Sequence, residues 1–270
     1  ISSSPPLFTH FAAMIAAKLK GAKFILDVRD IWTDIGIELG LLNKKIYIWG
    51  LRIIERFIIK SAAYITVTAE ADKANLVSKN IDADKIFILY NGADTQLFKA
   101  SYNSTRDKIR QSYNLPIDKQ LVVFFGSFND GMNDIQNMGL ALDNFDSNEN
   151  NCHFVFAGDG VNRTDFFNKL NGSANYSYLG LLELEELSVL LSASDLSLVP
   201  LKMINKNVGG NIPVKCFESW ASEIPVLLSA EKNSEIAKIF HECEAGILIE
   251  PNNAEELKAN LAKILKGNNL

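Results

Sequence analysis

The chain has 270 residues, of which 47% are hydrophobic, and it carries a formal net charge of −5. This length is typical of about two domains, and the apolar content is ample for buried cores. Acidic and basic residues are interspersed, which excludes the basic stripe of a nucleic-acid-binding protein, so we expect no nucleic-acid partner. The three cysteines show no metal-ligand spacing, and no uncharged apolar run reaches the length of a membrane span. We therefore expect a cytoplasmic protein in a reducing compartment.

Residues 1–100 alternate between predicted strands and helices, which indicates a parallel sheet with covering helices. The chain begins with Ile1 at the end of a predicted strand, so we expect these residues to be the later part of an amino-terminal domain. Helical apolar spacing covers residues 7–20. It places His10 either in the domain core or along a ligand cleft.

Charged residues follow the short buried strand that is predicted over residues 24–28. Arg29 and Asp30 fall at the carboxyl end of this strand, where open α/β sheets bind their ligands. The alternative is that they pair with each other and only hold the loop. We favour a functional role.

A long helix is predicted over residues 44–63, with apolar and aromatic residues along one side and lysines and arginines at the remaining positions. Such a helix usually covers a sheet. Its composition is also typical of helices that lie on an anionic bilayer, so peripheral membrane contact is a second interpretation.

The pattern restarts after a polar segment, and we place a domain boundary near Ala100. Six strand–helix units follow within residues 101–270, which predicts a doubly wound α/β domain. Glycine-bearing loops follow four of its strands, at Gly126, Gly158, Gly180 and Gly209. Because the carboxyl ends of parallel strands meet at one edge, these loops predict a crevice of nucleotide size. Neither a correctly spaced GxGxxG sequence nor a P-loop is present, which argues against dehydrogenases and ATPases.

A helix is predicted to begin near Pro213, directly after paired glycines. Lys215 and Glu218 are three residues apart in its first turns and therefore share a face. A lysine is unfavourable at the positive end of a helix unless an anion binds there, which predicts a phosphate site. The alternative is that Lys215 and Glu218 form an exposed ion pair on the protein surface.

No metal centre is predicted. Asp82 and Asp84 form an Asp-Ala-Asp sequence, but it precedes a strand and is typical of a solvated turn. The three histidines are scattered and show no metal-ligand spacing.

Six segments of the chain form a set with a defined order: residues 3–8 (SSPPLF), 27–32 (DVRDIW), 91–94 (NGAD) with Phe98, 157–160 (AGDG), 194–200 (SDLSLVP) and 213–218 (PVKCFE). Together they resemble the family 4 retaining glycosyltransferases of the GT-B fold, in particular bacterial enzymes of capsule and O-antigen assembly. The resemblance extends over the whole chain.

The resemblance implies an α/β protein with two Rossmann-like, doubly wound domains that face a cleft, the first domain being incomplete at its amino end. Glu218 would hold the donor ribose and Lys215 its diphosphate. Further donor contacts are implied for Gly126, Gly158, Gly180, Leu181, Gly209, Gly210 and Asn211. Arg29 and Asp30 would join Lys215 as catalytic residues. The acceptor side would include Ser4, Pro5, His10 and Trp32.

The sequence departs from the family at two points. Gly210 stands where many members have a second glutamate, eight residues before the ribose glutamate. Residues 127–138 contain neither the arginine nor the lysine that many members carry after the first strand of the donor domain. Lys215 and backbone amides would then have to bind the diphosphate.

We therefore predict a retaining, metal-independent glycosyltransferase that needs no cofactor. It would move a sugar from a UDP-sugar, or a GDP-sugar, to a sugar or polyprenyl-linked sugar acceptor in cell-surface polysaccharide synthesis. It would act in the cytoplasm or on the inner face of the cell membrane. A nucleotide-sugar epimerase of the same fold and a catalytically silent nucleotide-binding scaffold protein are the alternatives.

Overall fold

The computed structural model describes residues 1–4, 6–29, 31–38, 40–101, 104–129, 133–170, 172, 174–202 and 212–267. The chain divides into two compact units. The first unit comprises residues 1–91 and Ile212, and the second comprises the other described residues. The predicted boundary near Ala100 lies slightly beyond this division.

The first unit contains a parallel sheet in the order β1-β2-β3-β4. Its strands are β1 (Ser2–Ser3), β2 (Ile25–Val28), β3 (Tyr64–Val67) and β4 (Ile86–Ile88). Its helices are α1 (Leu7–Leu19), α2 (Trp32–Glu38), α3 (Lys45–Ser61) and α4 (Glu70–Ser78). The core forms where Ile58 and Ile59 of α3 pack against strand residues such as Leu26 and Ile65.

The second unit contains the remaining strands and helices. Its strands are β5 (Gln120–Phe125), β6 (Cys152–Ala157), β7 (Tyr176–Tyr178), β8 (Leu196–Pro200), β9 (Val226–Ser229) and β10 (Gly246–Ile249). Its helices are α5 (Ser104–Ser112), α6 (Ile135–Leu142), α7 (Arg163–Lys169), α8 (Leu184–Ser192), α9 (Val214–Ala221), α10 (Glu235–Cys243) and α11 (Ala254–Leu265).

The six strands of this unit form a parallel sheet in the order β10-β9-β8-β5-β6-β7. Alternate residues of β5 enter two different cores: Val122 and Phe124 pack in one, and Leu121, Val123 and Phe125 in the other. A strand that is buried on both sides needs helices on both faces of the sheet, which is the doubly wound arrangement. The predicted α/β class and the parallel sheets are confirmed.

One helix was not predicted. No helix was predicted between Arg29 and residue 44, whereas the structure has the short helix α2 there. Asp34 forms ion pairs with Arg52 of α3 and Lys79 after α4. These partners are distant in the sequence, so the contacts that hold α2 are invisible to local periodicity.

The Asp-Ala-Asp sequence has a local explanation. It lies at a short 3-10 turn over Ala83–Lys85, and Asp82 Oδ1 accepts the backbone N–H of Asp84 over 3.1 Å. Asp82 caps this turn, as the solvated-turn interpretation predicted.

Candidate functional site

The candidate site lies at the carboxyl edge of the six-stranded sheet, where the order of the strands reverses. β5 lies between β6 and β8, so the chain adds strands on one side as far as β7 and then on the other side from β8 to β10. Open parallel sheets bind ligands at such a switch point, between the loops that leave the two central strands. Here those loops follow Phe125 and Pro200.

Three of the predicted glycine loops meet at this edge. The backbone N–H of Gly126 donates to the Ala157 carbonyl over 2.9 Å, and that of Gly158 donates to the Gly180 carbonyl over 2.7 Å. Gly126 and Gly158 have φ angles of 126° and 128°. A Cβ at position 158 would lie 1.9 Å from the Gly126 carbonyl oxygen, so only glycine fits this contact.

Lys215 reaches the switch point from the first turn of α9. Its Nζ donates to Asn133 Oδ1 over 2.9 Å and lies 5.2 Å from the centre of the Phe124 ring. A Cβ on Gly126 would lie 3.1 Å from the same Nζ, so this glycine leaves room for the lysine. Burial lowers the pKa of Lys215 from 10.5 to about 8. Lys215 is therefore a desolvated cation packed against the first glycine loop, and it is not part of an exposed surface pair.

Asn133 is a site residue that sequence reasoning missed. It is 8% exposed, and its Nδ2 donates to the Ser127 carbonyl over 2.8 Å. Its backbone forms an isolated bridge with Leu201, just after β8. Asn133 thus joins the two loops of the switch point and orients the Lys215 ammonium. The nearest sequence signal is Asp134, the N-cap of α6, and it points to the helix start and not to a site.

Glu218 lies one turn after Lys215 on α9 and is half-buried. Burial raises the pKa of Glu218, while the charge of Lys215 opposes the rise. Cys216 and Ser219 occupy the fully buried side of the helix. In the described part of the chain, no hydrogen bond to the Glu218 carboxylate is formed, so its oxygens can accept hydrogen bonds from ligand hydroxyl groups.

A further group of predicted site residues comprises Leu181, Trp32 and five residues outside the described part of the structure. Leu181 follows Gly180 and is 75% exposed. Trp32 begins α2, and its side chain lies outside the described part of the structure. Five predicted site residues lie wholly outside it: Pro5, Asp30, Gly209, Gly210 and Asn211.

In the first unit, Arg29 belongs to a hydrogen-bond network around Asp27. The Asp27 carboxylate accepts three hydrogen bonds: from Ser3 Oγ over 2.6 Å, from Thr66 Oγ1 over 2.8 Å and from Arg29 Nε over 3.0 Å. Burial alone would raise the pKa of Asp27, but these hydrogen bonds and the charge of Arg29 outweigh it and lower the pKa. The other end of the guanidinium donates to Asn91 Oδ1 over 3.1 Å. The ionised Asp27 therefore holds Arg29 in place.

Asp27 and Asn91 were not among the predicted site residues. A carboxylate within an otherwise apolar strand was the signal for Asp27, and Asn91 belongs to the NGAD segment. Asn91 also donates from Nδ2 to the Ile212 carbonyl over 3.3 Å.

The acceptor-side residues Ser4 and His10 have different surroundings. Ser4 Oγ accepts the backbone N–H of Arg29 over 3.1 Å, which ties the loop after β1 to the loop after β2. His10 is 2% exposed and its Nδ1 lies 2.7 Å from Ser2 Oγ. Burial lowers the pKa of His10. His10 is therefore buried in the first unit, where it lines a small cavity together with Ser4 and Leu7. Its role on the acceptor side stays a prediction.

Residues 105–270 match the family described as Glycosyl transferases group 1. The matched range is more than half of the chain and includes the switch point, Lys215 and Glu218. The chain belongs to this family. The match confirms the prediction that this chain belongs to a glycosyltransferase family.

Two curated proteins are similar to this group 1 chain over most of its length. WcaI of Escherichia coli K12, named as a candidate colanic acid biosynthesis glycosyl transferase, is 22% identical over 269 residues, which cover 97% of this chain and 64% of WcaI. WbjE of Pseudomonas aeruginosa, named a probable glycosyltransferase, is 28% identical over 239 residues, which cover 86% of this chain and 57% of WbjE. The chain thus spans less than two thirds of either relative.

The crystal structure of HepE from Anabaena in complex with UDP-glucose is also similar to this group 1 chain. The TM-score is 0.72 at 15% identity, and the match covers 98% of this chain and 68% of HepE. At this identity the likeness concerns the fold alone, and it confirms the predicted GT-B fold class.

Proposed function

We propose that this chain is part of a family 4 retaining, metal-independent glycosyltransferase that uses a nucleotide-diphosphate sugar as donor. The observation that carries the proposal is the desolvated ammonium of Lys215 at the switch point of the second sheet. Its pKa of about 8 means that the charge is unfavourable until an anion binds beside it. A diphosphate is the anion for which such a crevice is suited.

The predicted donor-binding residues have distinct proposed roles. Lys215 and the amides of residues 209–211 would neutralise the diphosphate, and Glu218 would accept hydrogen bonds from the ribose hydroxyls. Gly126 and Gly158 would let the loops approach the ligand. Gly180 and the exposed Leu181 would frame the base. We favour UDP over GDP because HepE, which shares the fold, was crystallised with UDP-glucose.

The chemistry follows from where negative charge develops. As the bond between the anomeric carbon and the diphosphate oxygen breaks, charge accumulates on the leaving diphosphate. The Lys215 ammonium is already positioned by Asn133, so it can stabilise that charge without reorganisation. In a retaining transfer the acceptor hydroxyl oxygen forms the new bond to the anomeric carbon on the same face that the diphosphate leaves, and the hydroxyl proton passes to the departing diphosphate oxygen.

The first unit would supply the acceptor side. Arg29, held by Asp27, and Asp30 are the proposed catalytic groups, and Ser4, Pro5 and Trp32 would line the acceptor site. The acceptor would be a sugar or a polyprenyl-linked sugar in capsule or O-antigen synthesis. The name of WcaI, which refers to colanic acid biosynthesis, supports a role in cell-surface polysaccharides. A cytoplasmic location is part of the proposal, since all three cysteines are free, as is typical of a reducing compartment.

The ribose assignment is tested by calorimetry with UDP and its 2′,3′-dideoxy analogue. The wild-type chain is expected to prefer UDP, because hydrogen bonds to a carboxylate are worth about 1.5–3 kcal/mol, or roughly 10- to 100-fold in affinity. Glu218→Ala is expected to bind both ligands equally weakly. Glu242→Ala, which removes an exposed glutamate of α10, is the matched control and keeps the preference. A Glu218→Ala variant that still prefers UDP would refute the assignment.

The reaction class is tested by incubating the longest available form of the protein with UDP-sugars and candidate acceptors. Transfer that persists in EDTA supports metal independence, whereas a strict requirement for added manganese contradicts it. Interconversion of UDP-sugars without an acceptor would favour the epimerase, and donor binding without any turnover would favour the silent scaffold protein.

A further inference from the structure

The hydroxyl group of Tyr178 holds the second glycine loop, which follows β6. Tyr178 is the last residue of β7, and its hydroxyl donates to the Gly158 carbonyl over 2.8 Å. The backbone N–H of Gly158 donates to the Gly180 carbonyl over 2.7 Å. Gly158 is thus held through both of its backbone polar groups. Because the donor to its carbonyl is a side chain, the place of this loop depends on one hydroxyl group.

Arg163, the first residue of α7, sets the direction of that hydroxyl. Its Nη1 donates to the Tyr178 oxygen over 3.2 Å and to Asp159 Oδ1 over 2.9 Å, and its guanidinium carbon lies 5.5 Å from the centre of the Tyr178 ring. Arginine can only donate, so the tyrosine oxygen accepts this bond and its own proton remains for the Gly158 carbonyl. Asp159 Oδ1 also accepts the backbone N–H of Gly160 over 2.7 Å. The loop after β6 is therefore tied to Tyr178 and Arg163 along its length.

The loop after β6 rests directly on the first glycine loop, which follows β5. The backbone N–H of Phe128 donates to the Asp159 carbonyl over 2.9 Å, and that of Val161 donates to Asn129 Oδ1 over 2.9 Å. A Cβ at position 160 would lie 2.5 Å from the carbonyl carbon of Phe128, so glycine is needed for this approach. The two loops are close-packed through their backbones, and a shift of one must therefore move the other.

The first glycine loop leads on to Lys215. The carbonyl of Ser127, the neighbour of Phe128, accepts Asn133 Nδ2 over 2.8 Å, and Asn133 Oδ1 accepts the Lys215 ammonium over 2.9 Å. An unbroken series of contacts thus connects the Tyr178 hydroxyl with the Lys215 ammonium, and all of its members belong to the second unit. Such a packed, hydrogen-bonded series can carry a change at one end to the other.

We infer that Tyr178 is a positioning residue of the proposed donor site. Its hydroxyl, oriented by Arg163, fixes the two glycine loops in the arrangement in which Lys215 meets the diphosphate, so the inference rests on the proposed function of Lys215. Tyr176 provides the contrast on the same strand. Its ring stacks on Phe167 at 5.1 Å between centres and is about as exposed, at 38% against 36%, but its hydroxyl forms no hydrogen bond in the described part of the chain. The hydroxyl of Tyr178 therefore distinguishes the two residues.

Calorimetry with UDP and UMP tests the inference. The wild-type chain is expected to prefer UDP, because Lys215 is proposed to neutralise a diphosphate. Tyr178→Phe should lower the affinity for UDP about 3- to 30-fold and should reduce the preference for UDP over UMP. Tyr176→Phe removes the other hydroxyl of β7 and should change neither quantity. A variant that is only less stable loses affinity for both nucleotides by the same factor, so the ratio of the two affinities separates positioning from a loss of stability.

A second variant tests the role of Arg163. Arg163→Met keeps the Tyr178 hydroxyl but removes the group that orients it, so the ratio should change in the same direction and by a smaller factor. If the wild type prefers UDP and Tyr178→Phe keeps the wild-type ratio, the inference fails while the proposed function stands. Equal changes of the ratio in Tyr178→Phe and Tyr176→Phe would also overturn the inference. A wild type without any preference for UDP would contradict the proposed diphosphate site and the inference together.

Discussion

Replacing Lys215 by methionine is expected to stabilise the ligand-free protein. Folding lowers the pKa of Lys215 from 10.5 to about 8 through burial. Since one pKa unit corresponds to about 1.4 kcal/mol, the buried charge costs about 3 kcal/mol at neutral pH. Methionine removes this cost but leaves Asn133 Oδ1 without its donor, which costs about 1 kcal/mol. The free energy of unfolding should therefore rise by about 2 kcal/mol in Lys215→Met.

The pH dependence of this gain has a definite sign. Because Lys215 holds its proton less tightly in the folded state, unfolding takes up a proton between pH 8 and pH 10.5. Wild-type stability therefore rises with pH across this window relative to Lys215→Met. The advantage of the variant should be constant below about pH 8 and should vanish near pH 10.

Guanidinium denaturation of both proteins at pH 7, 8, 9 and 10 measures the effect. Lys238→Met, at an exposed lysine of α10, is the matched control and should change stability by less than about 0.5 kcal/mol. A loss of stability in Lys215→Met at pH 7, or a difference from wild type that is the same at pH 7 and pH 10, would refute the argument that Lys215 is a costly buried cation.

The same lysine should make UDP binding depend on pH. An anion binds best to the protonated form, so wild-type affinity for UDP is expected to fall about tenfold per pH unit above pH 8. The phosphate groups of UDP are already ionised in this range, because phosphates titrate near pH 6. Calorimetry should show little binding to Lys215→Met at any pH, and an unchanged affinity in this variant would contradict the proposed diphosphate contact.

Three further predictions concern single positions. Asp27→Asn should lose about 1–3 kcal/mol of unfolding free energy at pH 7. Because folding lowers the pKa of Asp27 from 3.8, the difference should begin to shrink below about pH 4 and should disappear only below the lowered pKa of the folded protein. Equal denaturation midpoints at pH 7 would contradict this. Gly158→Ala should lower the free energy of unfolding by at least about 3 kcal/mol, because its Cβ would meet a carbonyl oxygen. Gly50→Ala, with open space around it on α3, should raise it by about 0.5–1 kcal/mol. Thermal melting measures both changes, and similar effects of the two would refute the reasoning. A thiol reagent at pH 8 should modify the exposed Cys243 first, because burial raises the pKa of Cys152 to about 11 and that of Cys216 to about 12. Rapid reaction of all three thiols would contradict the burial of Cys152 and Cys216.

Much of the second unit could be predicted because its signals are local. The strand Val226–Ser229 is a short apolar run after a proline, and α9 begins directly after Pro213. Both features depend on residues that are neighbours in the sequence. The same holds for the glycines at strand ends, whose positions already suggested one binding edge.

Other parts of the candidate site could not be predicted, because their partners are far apart in the sequence. Lys215 donates to Asn133, which is 82 positions away, and Arg29 donates to Asn91, which is 62 positions away. An asparagine has no sequence signature for such a role. The burial of His10 likewise depends on how α1 packs in the first unit.

The sequence by itself determined the alternation of strands and helices, the loops that carry glycine, and the lysine and glutamate that share one face of α9. Each of these follows from hydrophobic spacing, backbone freedom or helix geometry over a few residues. Only the tertiary structure decided that β8 lies beside β5, that Lys215 enters the gap between the loops of those strands, and that its ammonium loses water there. The reason is physical: desolvation and hydrogen bonding depend on the atoms that surround a group in space, and the chain brings those atoms together only when it folds.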